Sequence, residues 1–115
     1  GYFNDGHEKY PILGPNSKHK ILNNNLFSIE PGFYLKNKFG LRIENLYFSK
    51  VHHNKIQLIN TTLVPYDISL IDWNLILPRE KKFIKSYHKR IFDEFRYRFS
   101  DDERKKYKKT LIDKI

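Results

Sequence analysis

In the first half of the chain, apolar and polar residues alternate over short stretches, as is typical of half-buried strands. The alternation predicts four strands, over residues 26–30, 33–35, 39–51 and 55–62. Between the first two, Pro31-Gly32 predicts a turn, because proline lacks an amide donor and glycine permits positive φ. Lys36-Asn37-Lys38 suits a polar hairpin tip, and His52-His53-Asn54 predicts the last turn between strands.

Helical spacing replaces the alternation in the second half, where residues 78–99 are predicted to form one continuous amphipathic helix. Pro78 suits its first turn. A single apolar stripe consists of Ile84, Tyr87, Ile91, Phe95 and Phe99. A second helix is predicted to begin at Ser100, because Ser100 and Glu103 have the spacing of a capping box, in which each side chain accepts a hydrogen bond from the other residue's amide. Strands followed by helices indicate an α+β fold.

The bulk composition fits one globular domain or a piece of one, with 115 residues that are 39% hydrophobic and 16% aromatic. The lack of cysteine excludes disulfides, thiolate metal sites and a cysteine nucleophile. The chain contains no stretch of about 18 apolar residues, so no membrane span is predicted. The chain also does not begin with a signal-peptide pattern. Because methionine is absent even at residue 1, we expect the chain to be a fragment or a processed product.

The formal net charge is +9, and basic residues are concentrated towards the C-terminal end, at Arg96, Arg98, Arg104, Lys105, Lys106, Lys108 and Lys109. One interpretation is a phosphate-binding surface. The other is a solvated helix face, which we favour because no nucleic-acid motif accompanies the charge. A nucleic-acid partner is therefore not expected.

Two carboxylates, Glu30 and Glu44, stand in apolar, strand-like surroundings. A buried carboxylate without a partner is strongly unfavourable, so each one needs a cation or a network of hydrogen bonds. Two interpretations are open at this point. The glutamates are ligands of metal ions, or they are structural residues paired with Arg42 and Lys38.

Four stretches of the chain resemble the motifs of a known family. They are "GYFNDGHE" at residues 1–8, "SIEPGFY" at 28–34, "FGLRIENL" at 39–46, and "TLVPYDISLID" at 62–72 with "SYHKRI" at 86–91. Together they resemble the C-terminal part of Xaa-Pro aminopeptidases (aminopeptidase P), whose pita-bread (creatinase/aminopeptidase) fold is shared with methionine aminopeptidase and prolidase. The resemblance implies that residues 1–77 form the C-terminal half of the peptidase catalytic domain, and that residues 78–115 form a helical extension of the same domain.

The resemblance also implies a pair of divalent cations, commonly manganese. Glu30 would bind one of them terminally and move protons during turnover, and Glu44 would bridge both. A hydroxide activated between the two cations would attack the scissile carbonyl of an Xaa-Pro bond. His7 would line the substrate site and help to stabilise the developing oxyanion.

Two further residues are implied to support the ligands. Arg42 would orient a ligand carboxylate, and strand alternation places it on the same face as Glu44. Tyr34 matches a supporting tyrosine of the family, with a core aromatic as the alternative interpretation. The pair His52-His53 is expected at a turn surface, and His88 is expected to pack beside the apolar stripe.

The family's remaining ligands, two aspartates and a histidine, lie upstream in the family and are absent from this chain. We therefore expect the 115-residue chain to be inactive without the N-terminal half of the catalytic domain. The resemblance implies a cytoplasmic enzyme that releases the first residue of peptides with proline at the second position, and it allows a homodimer of the full protein. The alternative is a catalytically inactive pita-bread module that binds a peptide, a protein or a nucleic acid. Retention of both glutamates favours the enzyme, and the positive charge favours the binding module.

Overall fold

The computed structural model describes Lys18 and residues 20–115. Five strands come first: β1 (Leu26–Ile29), β2 (Gly32–Leu35), β3 (Phe39–Arg42), β4 (Asn45–His52) and β5 (Lys55–Asn60). Two helices follow, α1 (Pro78–Phe95) and α2 (Asp101–Leu111). Every strand pairing is antiparallel. The prediction of antiparallel strands followed by C-terminal helices is therefore confirmed.

The chain divides into two compact units, of which the first ends at Thr62 and the second begins at Leu63. The first contains a sheet of order β1-β4-β5 and a ribbon of β2 and β3. The second contains both helices and the irregular segment before them. The division into parts that meet between residues 77 and 78 stays a prediction.

The turn predicted at Pro31-Gly32 is wrong. The pairing of Ile29 with Asn45 before it and of Gly32 with Arg42 after it has the same register, so the chain keeps its direction. The carbonyl of Pro31 accepts a hydrogen bond from the amide of Ile43 at 3.1 Å, which bridges the interruption. Gly32 does not have a positive φ. The missing amide of proline thus interrupts the ladder without reversing the chain.

The two hairpin turns lie where polar residues predicted them. Asn37, in the three-residue loop between β2 and β3, has a φ of 58°, and the amide of Lys38 donates to the carbonyl of Leu35 at 3.0 Å. His53 and Asn54, between β4 and β5, have φ values of 48° and 60°. Positive φ at both central residues of a two-residue loop gives the type I′ geometry that matches the twist of paired strands.

In the second unit, the predicted helix forms but ends earlier than expected. The α-helix stops at Phe95, a 3₁₀ turn follows over Arg96–Arg98, and Phe99 is extended. The stripe predicted from the spacing is buried at Ile84, Tyr87 and Ile91, as expected. The buried core of this helix also includes Phe92.

The second helix begins as predicted, at a capping box. Ser100 Oγ accepts from the amide of Glu103 at 3.3 Å, and Glu103 Oε2 accepts from the amide of Ser100 at 2.7 Å. Each contact satisfies a first-turn amide that the helix itself leaves unpaired. Among the described helices, none is long and apolar enough to cross a membrane.

His88 connects three segments of the second unit and has no exposed surface. Its Nε2 accepts a hydrogen bond from the amide of Tyr66 at 2.9 Å, and its Nδ1 lies 2.7 Å from the carbonyl oxygen of Leu111. Because the Tyr66 amide is a donor, the ring hydrogen is on Nδ1 and points at Leu111. The expectation that His88 packs beside the apolar stripe is therefore correct, and the residue is also a polar bridge.

Candidate metal centre

Glu30 and Glu44 lie opposite each other at the interruption of one long antiparallel pair. Glu30 follows β1, Glu44 precedes β4, and the ladders on both sides of the gap have the same register. Residues directly opposite in such a pair have Cβ atoms about 4.5–5.5 Å apart. The strand pairing therefore brings together two carboxylates that are separated in sequence.

Arg42 forms an ion pair with each of these carboxylates. One terminal nitrogen of its guanidinium lies 3.5 Å from Glu30 Oε2, and the other lies 3.5 Å from Glu44 Oε2. Two like charges that face each other across a strand pair destabilise it, and the guanidinium offsets that repulsion. Within the described part of the chain, neither glutamate forms an ion pair with Lys38. The contacts also show that Arg42 is on the same side of the ribbon as both carboxylates.

Neither glutamate is buried in this chain, although both stand in apolar, strand-like surroundings in the sequence. The exposed fractions of the side chains are 30% for Glu30, 48% for Glu44 and 42% for Arg42. Ion pairs at such exposed sites are worth only about 0.2–1 kcal/mol each. Each of these ion pairs is therefore weak, and it uses only one oxygen of its carboxylate. Ser28 Oγ also donates to Glu30 Oε1 at 3.2 Å and helps to orient that carboxylate.

The ribbon of β2 and β3 has two chemically different faces. The face of Glu30 and Glu44 also carries Arg42 and Tyr34, because alternate residues of a strand share a face. The opposite face carries large apolar side chains that are 39–55% exposed, namely Ile29, Phe33, Leu35, Phe39, Leu41 and Ile43. One face therefore holds all the polar chemistry, and the other is an uncovered apolar surface in the described structure.

Tyr34 lies across two glycines on the polar face. It pairs with Gly40 on the neighbouring strand and stands two residues after Gly32 on its own strand. Sequence reasoning missed the importance of these glycines and assigned Gly32 to a turn. The signal that was available is the pair of glycines inside strand-like stretches, since glycine in a strand often marks a close approach of another group.

The other sequence-predicted residues are distant from this cluster or outside the description. His7 lies outside the described residues. His52 ends β4 opposite Lys55, and His53 is in the turn beyond it. His88 belongs to the second unit, where both of its ring nitrogens have backbone partners. The structure thus groups Glu30, Glu44 and Arg42 with Tyr34 nearby on the same face.

The donor set suits part of a metal site and not a whole one. Carboxylate oxygens are the donors that hard cations such as Mn²⁺ prefer. Among the described residues, no group of three or more His, Cys, Asp or Glu side chains is placed to hold a metal ion. Glu30 and Glu44 can therefore supply two ligands, and further ligands would have to come from elsewhere.

Comparisons with known families give two matches that together span most of the chain. Residues 56–113, just over half of the chain, match the model for the C-terminal region of peptidase M24. Residues 3–50 match the model for metallopeptidase family M24. The second match includes both glutamates of the candidate site.

Individual relatives carry the same similarity over a small part of their length. The chain is 38% identical over 86 residues to a probable Xaa-Pro aminopeptidase P of Pyricularia oryzae, covering 68% of this chain and 14% of the relative. It is 35% identical over 96 residues to Xaa-Pro aminopeptidase app-1 of Caenorhabditis elegans, covering 77% of this chain and 15% of the relative. The chain thus spans about one-seventh of the length of these relatives.

A solved structure shares the fold. The crystal structure of X-prolyl aminopeptidase from Caenorhabditis elegans, a cytosolic enzyme with a di-nuclear active site, superposes with a TM-score of 0.66. The sequences are 28% identical, and the match covers 87% of this chain and 18% of that one. This likeness confirms the predicted fold class, the C-terminal half of a pita-bread domain.

Proposed function

The chain belongs to the M24 metallopeptidase family, and from this premise we propose that it is the C-terminal part of an Xaa-Pro aminopeptidase. The complete protein would release the first residue from peptides that have proline at the second position. The observation that carries the proposal is the convergence of Glu30 and Glu44 on the two terminal nitrogens of Arg42. Two opposed carboxylates at an interruption of a strand pair are unfavourable without a cation, and they are well placed to share one.

We assign two divalent cations to the complete site, with Mn²⁺ as the proposed metal. Glu30 would be a terminal ligand and Glu44 a bridging ligand, both through carboxylate oxygens. When bound, such a pair of cations supplies an activated water molecule and polarises the scissile carbonyl. The remaining ligands would come from the N-terminal half of the catalytic domain, because the described residues provide only two converging carboxylates.

The roles of this chain's residues follow from their contacts. Glu30 is oriented by the Ser28 hydroxyl at 3.2 Å, and it would carry a proton between the attacking water and the leaving amine. Arg42 would hold the carboxylates in register when the cations are bound, as it does in the present ion pairs. Tyr34, on the same face, would support the ligands, and His7 would donate a hydrogen bond to the developing oxyanion.

The apolar face of the ribbon supports a covering partner, which we propose to be the N-terminal half of the catalytic domain. Contiguous apolar side chains with 39–55% exposure mark a surface that is normally covered. Covering that face would leave the polar face directed at the substrate, a peptide with proline at its second position. A homodimer of the complete protein and a cytoplasmic location are the remaining parts of the proposal, by analogy with the family.

The test uses the complete protein, in which this chain is joined to the upstream half of the domain. We expect Mn²⁺ to bind, and an Xaa-Pro dipeptide or tripeptide to be hydrolysed. Glu44→Ala should abolish both the tight binding of Mn²⁺ and the turnover, because it removes a bridging ligand. His52→Ala is the matched control, since His52 lies at the far end of β4, and it should change neither measurement by more than about twofold.

Two results would contradict the proposal. Turnover by the Glu44→Ala protein at the wild-type rate would show that Glu44 is not a metal ligand. A complete protein that folds but neither binds Mn²⁺ nor hydrolyses Xaa-Pro peptides would instead favour the inactive binding module.

A further inference from the structure

The aromatic ring of Tyr34 occupies the space that side chains would fill at two glycines. A Cβ atom added at Gly32 would lie 2.6 Å from the Tyr34 hydroxyl oxygen and 2.7 Å from Cε2. A Cβ atom added at Gly40 would meet Tyr34 Cδ1 and would lie 2.9 Å from Cε1. All of these separations are shorter than real Cβ contacts, so the ring could not keep its position if either residue were alanine.

The backbone gives no other reason for glycine at these two positions. Neither Gly32 nor Gly40 has a positive φ, so an L-residue can adopt both conformations. Both residues are within strands, where glycine is disfavoured because it has no side chain to pack. Space for the Tyr34 ring is therefore what the two glycines provide.

The contacts of the two glycines show which way the Tyr34 ring is oriented along the ribbon. Gly40 is the partner of Tyr34 across the ribbon and lies under one edge of the ring. Gly32 lies under the hydroxyl end, and Gly32 is paired with Arg42. The ring thus runs along the ribbon and points its hydroxyl towards Gly32, the cross-strand partner of Arg42.

We infer that Gly32 and Gly40 are positioning residues, which hold the Tyr34 hydroxyl beside the arginine that contacts both carboxylates. This inference rests on the proposed function, because it gives the hydroxyl a use in supporting the ligands of the metal site. The two glycines would act through Tyr34 alone and would touch neither metal nor substrate. Replacing either glycine would turn the ring away from the ribbon. The ring has room to move, because Tyr34 is already 58% exposed.

The experiment is a double-mutant cycle in the complete protein, with Gly40→Ala and Tyr34→Phe. Gly40 is the better target of the two glycines, because it lies under the ring edge and further from Arg42. Loss of a group that supports metal ligands typically costs about 10–100-fold in affinity or activity. We therefore expect Gly40→Ala to lower Xaa-Pro turnover about tenfold or more, and Tyr34→Phe to do the same. The double variant should be no worse than either single variant, within about twofold, because Tyr34→Phe deletes the hydroxyl that Gly40→Ala displaces.

Two further measurements separate positioning from damage to the fold. The thermal midpoint of Gly40→Ala should stay close to the wild-type value, because the backbone accepts alanine there and the displaced Tyr34 ring is already 58% exposed. In protein labelled with 3-fluorotyrosine, the ¹⁹F resonance missing from Tyr34→Phe identifies Tyr34, and that resonance should move in Gly40→Ala. A lower midpoint together with lost turnover would assign Gly40 an ordinary structural role and overturn the inference.

The remaining outcomes also decide the question. Wild-type turnover in Gly40→Ala would overturn the inference and leave the proposed function intact. If Gly40→Ala lowers turnover further in protein that already carries Tyr34→Phe, the inference is overturned too. If the wild-type protein does not hydrolyse Xaa-Pro peptides, the proposed function fails, and an unmoved Tyr34 resonance in Gly40→Ala would separately show that the glycines do not place the ring.

Discussion

His88 donates from Nδ1 to the carbonyl oxygen of Leu111 at 2.7 Å, and this contact ties the end of α2 to the middle of α1. On the other side of the ring, Nε2 accepts the amide of Tyr66 at 2.9 Å. Only a neutral imidazole satisfies both contacts, since a second ring proton would point at the Tyr66 amide. Burial lowers the pKa of His88 below its ordinary value of 6.5, and the hydrogen bond to Leu111 opposes part of that shift.

The free energy of unfolding should therefore fall as the pH drops below about 6.5. Below that pH the unfolded chain takes up a proton on His88 that the folded chain excludes. The stabilisation is fully present above the pKa of His88 in the unfolded chain. It is lost as the pH falls from that value to the lower pKa of the folded chain. The slope contributed by this one residue is at most about 1.4 kcal/mol per pH unit. Thermal unfolding between about pH 5 and pH 8 measures it.

The controls for this prediction are two histidine variants. His88→Gln should be less stable at neutral pH and should lose this part of the pH slope. His52→Gln removes an exposed histidine and should keep the slope. A wild-type slope in His88→Gln would show that another group causes the acid sensitivity.

Tyr107→Phe should lower the free energy of unfolding by about 1 kcal/mol, the usual cost of one lost hydrogen bond. Its hydroxyl donates to the carbonyl oxygen of His88 at 3.0 Å. Burial is the main reason that the pKa of Tyr107 is raised to about 12. Tyr97→Phe is the matched control, because Tyr97 is 71% exposed, and it should leave the urea midpoint unchanged. Equal effects of the two variants would mean that the Tyr107 hydrogen bond does not contribute.

Arg42→Lys in the complete protein should lower Xaa-Pro turnover about 10–100-fold, although the positive charge is retained. The two terminal nitrogens of Arg42 contact two different carboxylates, which a single ammonium group cannot do with the same geometry. Steady-state kinetics on the variant measure the loss. Arg79→Lys, in the first turn of α1, is the control and should have the wild-type rate. A fully active Arg42→Lys protein would show that one point charge is sufficient at this position.

The isolated 115-residue chain should hydrolyse no Xaa-Pro peptide and should bind Mn²⁺ only weakly. Its described part brings only two carboxylates together, and Arg42 already forms an ion pair with each of them. A cation held by two exposed carboxylates keeps most of its water, so hydration competes well with binding. Titration with Mn²⁺, followed by a peptide assay, tests both statements. Robust turnover by this chain alone would refute the assignment of the missing ligands to another part of the domain.

Local patterns in the sequence predicted the local features of the structure. The capping box at Ser100 and Glu103 depends on residues three apart, so the pattern alone was sufficient. The burial of Ile84, Tyr87 and Ile91 follows in the same way from helical spacing. The end of α1 was placed at Phe99 instead of Phe95, because a 3₁₀ turn has nearly the same spacing as the last turn of an α-helix.

The non-local features were beyond the reach of such patterns. Pro31-Gly32 has the composition of a turn, but pairing with the strand at residues 42–43 overrides that local preference. The partners of the His88 ring are 22 and 23 residues away, at Tyr66 and Leu111. The pairing of Glu30 with Glu44 depends on a register that neither strand contains by itself. The resemblance placed both glutamates in one site, and the physical reason for their meeting became visible only in the ladder.

The three-residue loop between β2 and β3 sets the register of the candidate site from a distance. Inserting one residue among positions 36–38 would shift β3 by one position relative to β2, and successive side chains of a strand point to opposite faces. Leu41 would then share a face with Tyr34, and Arg42 would turn to the other side, whereas Glu44 stands next to Asn45, whose pairing with Ile29 holds it opposite Glu30. Such an insertion alters no ligand and lies on the surface, where added residues are ordinarily harmless. The length of this hairpin loop is therefore constrained by the need to keep Arg42 on the face of the two glutamates.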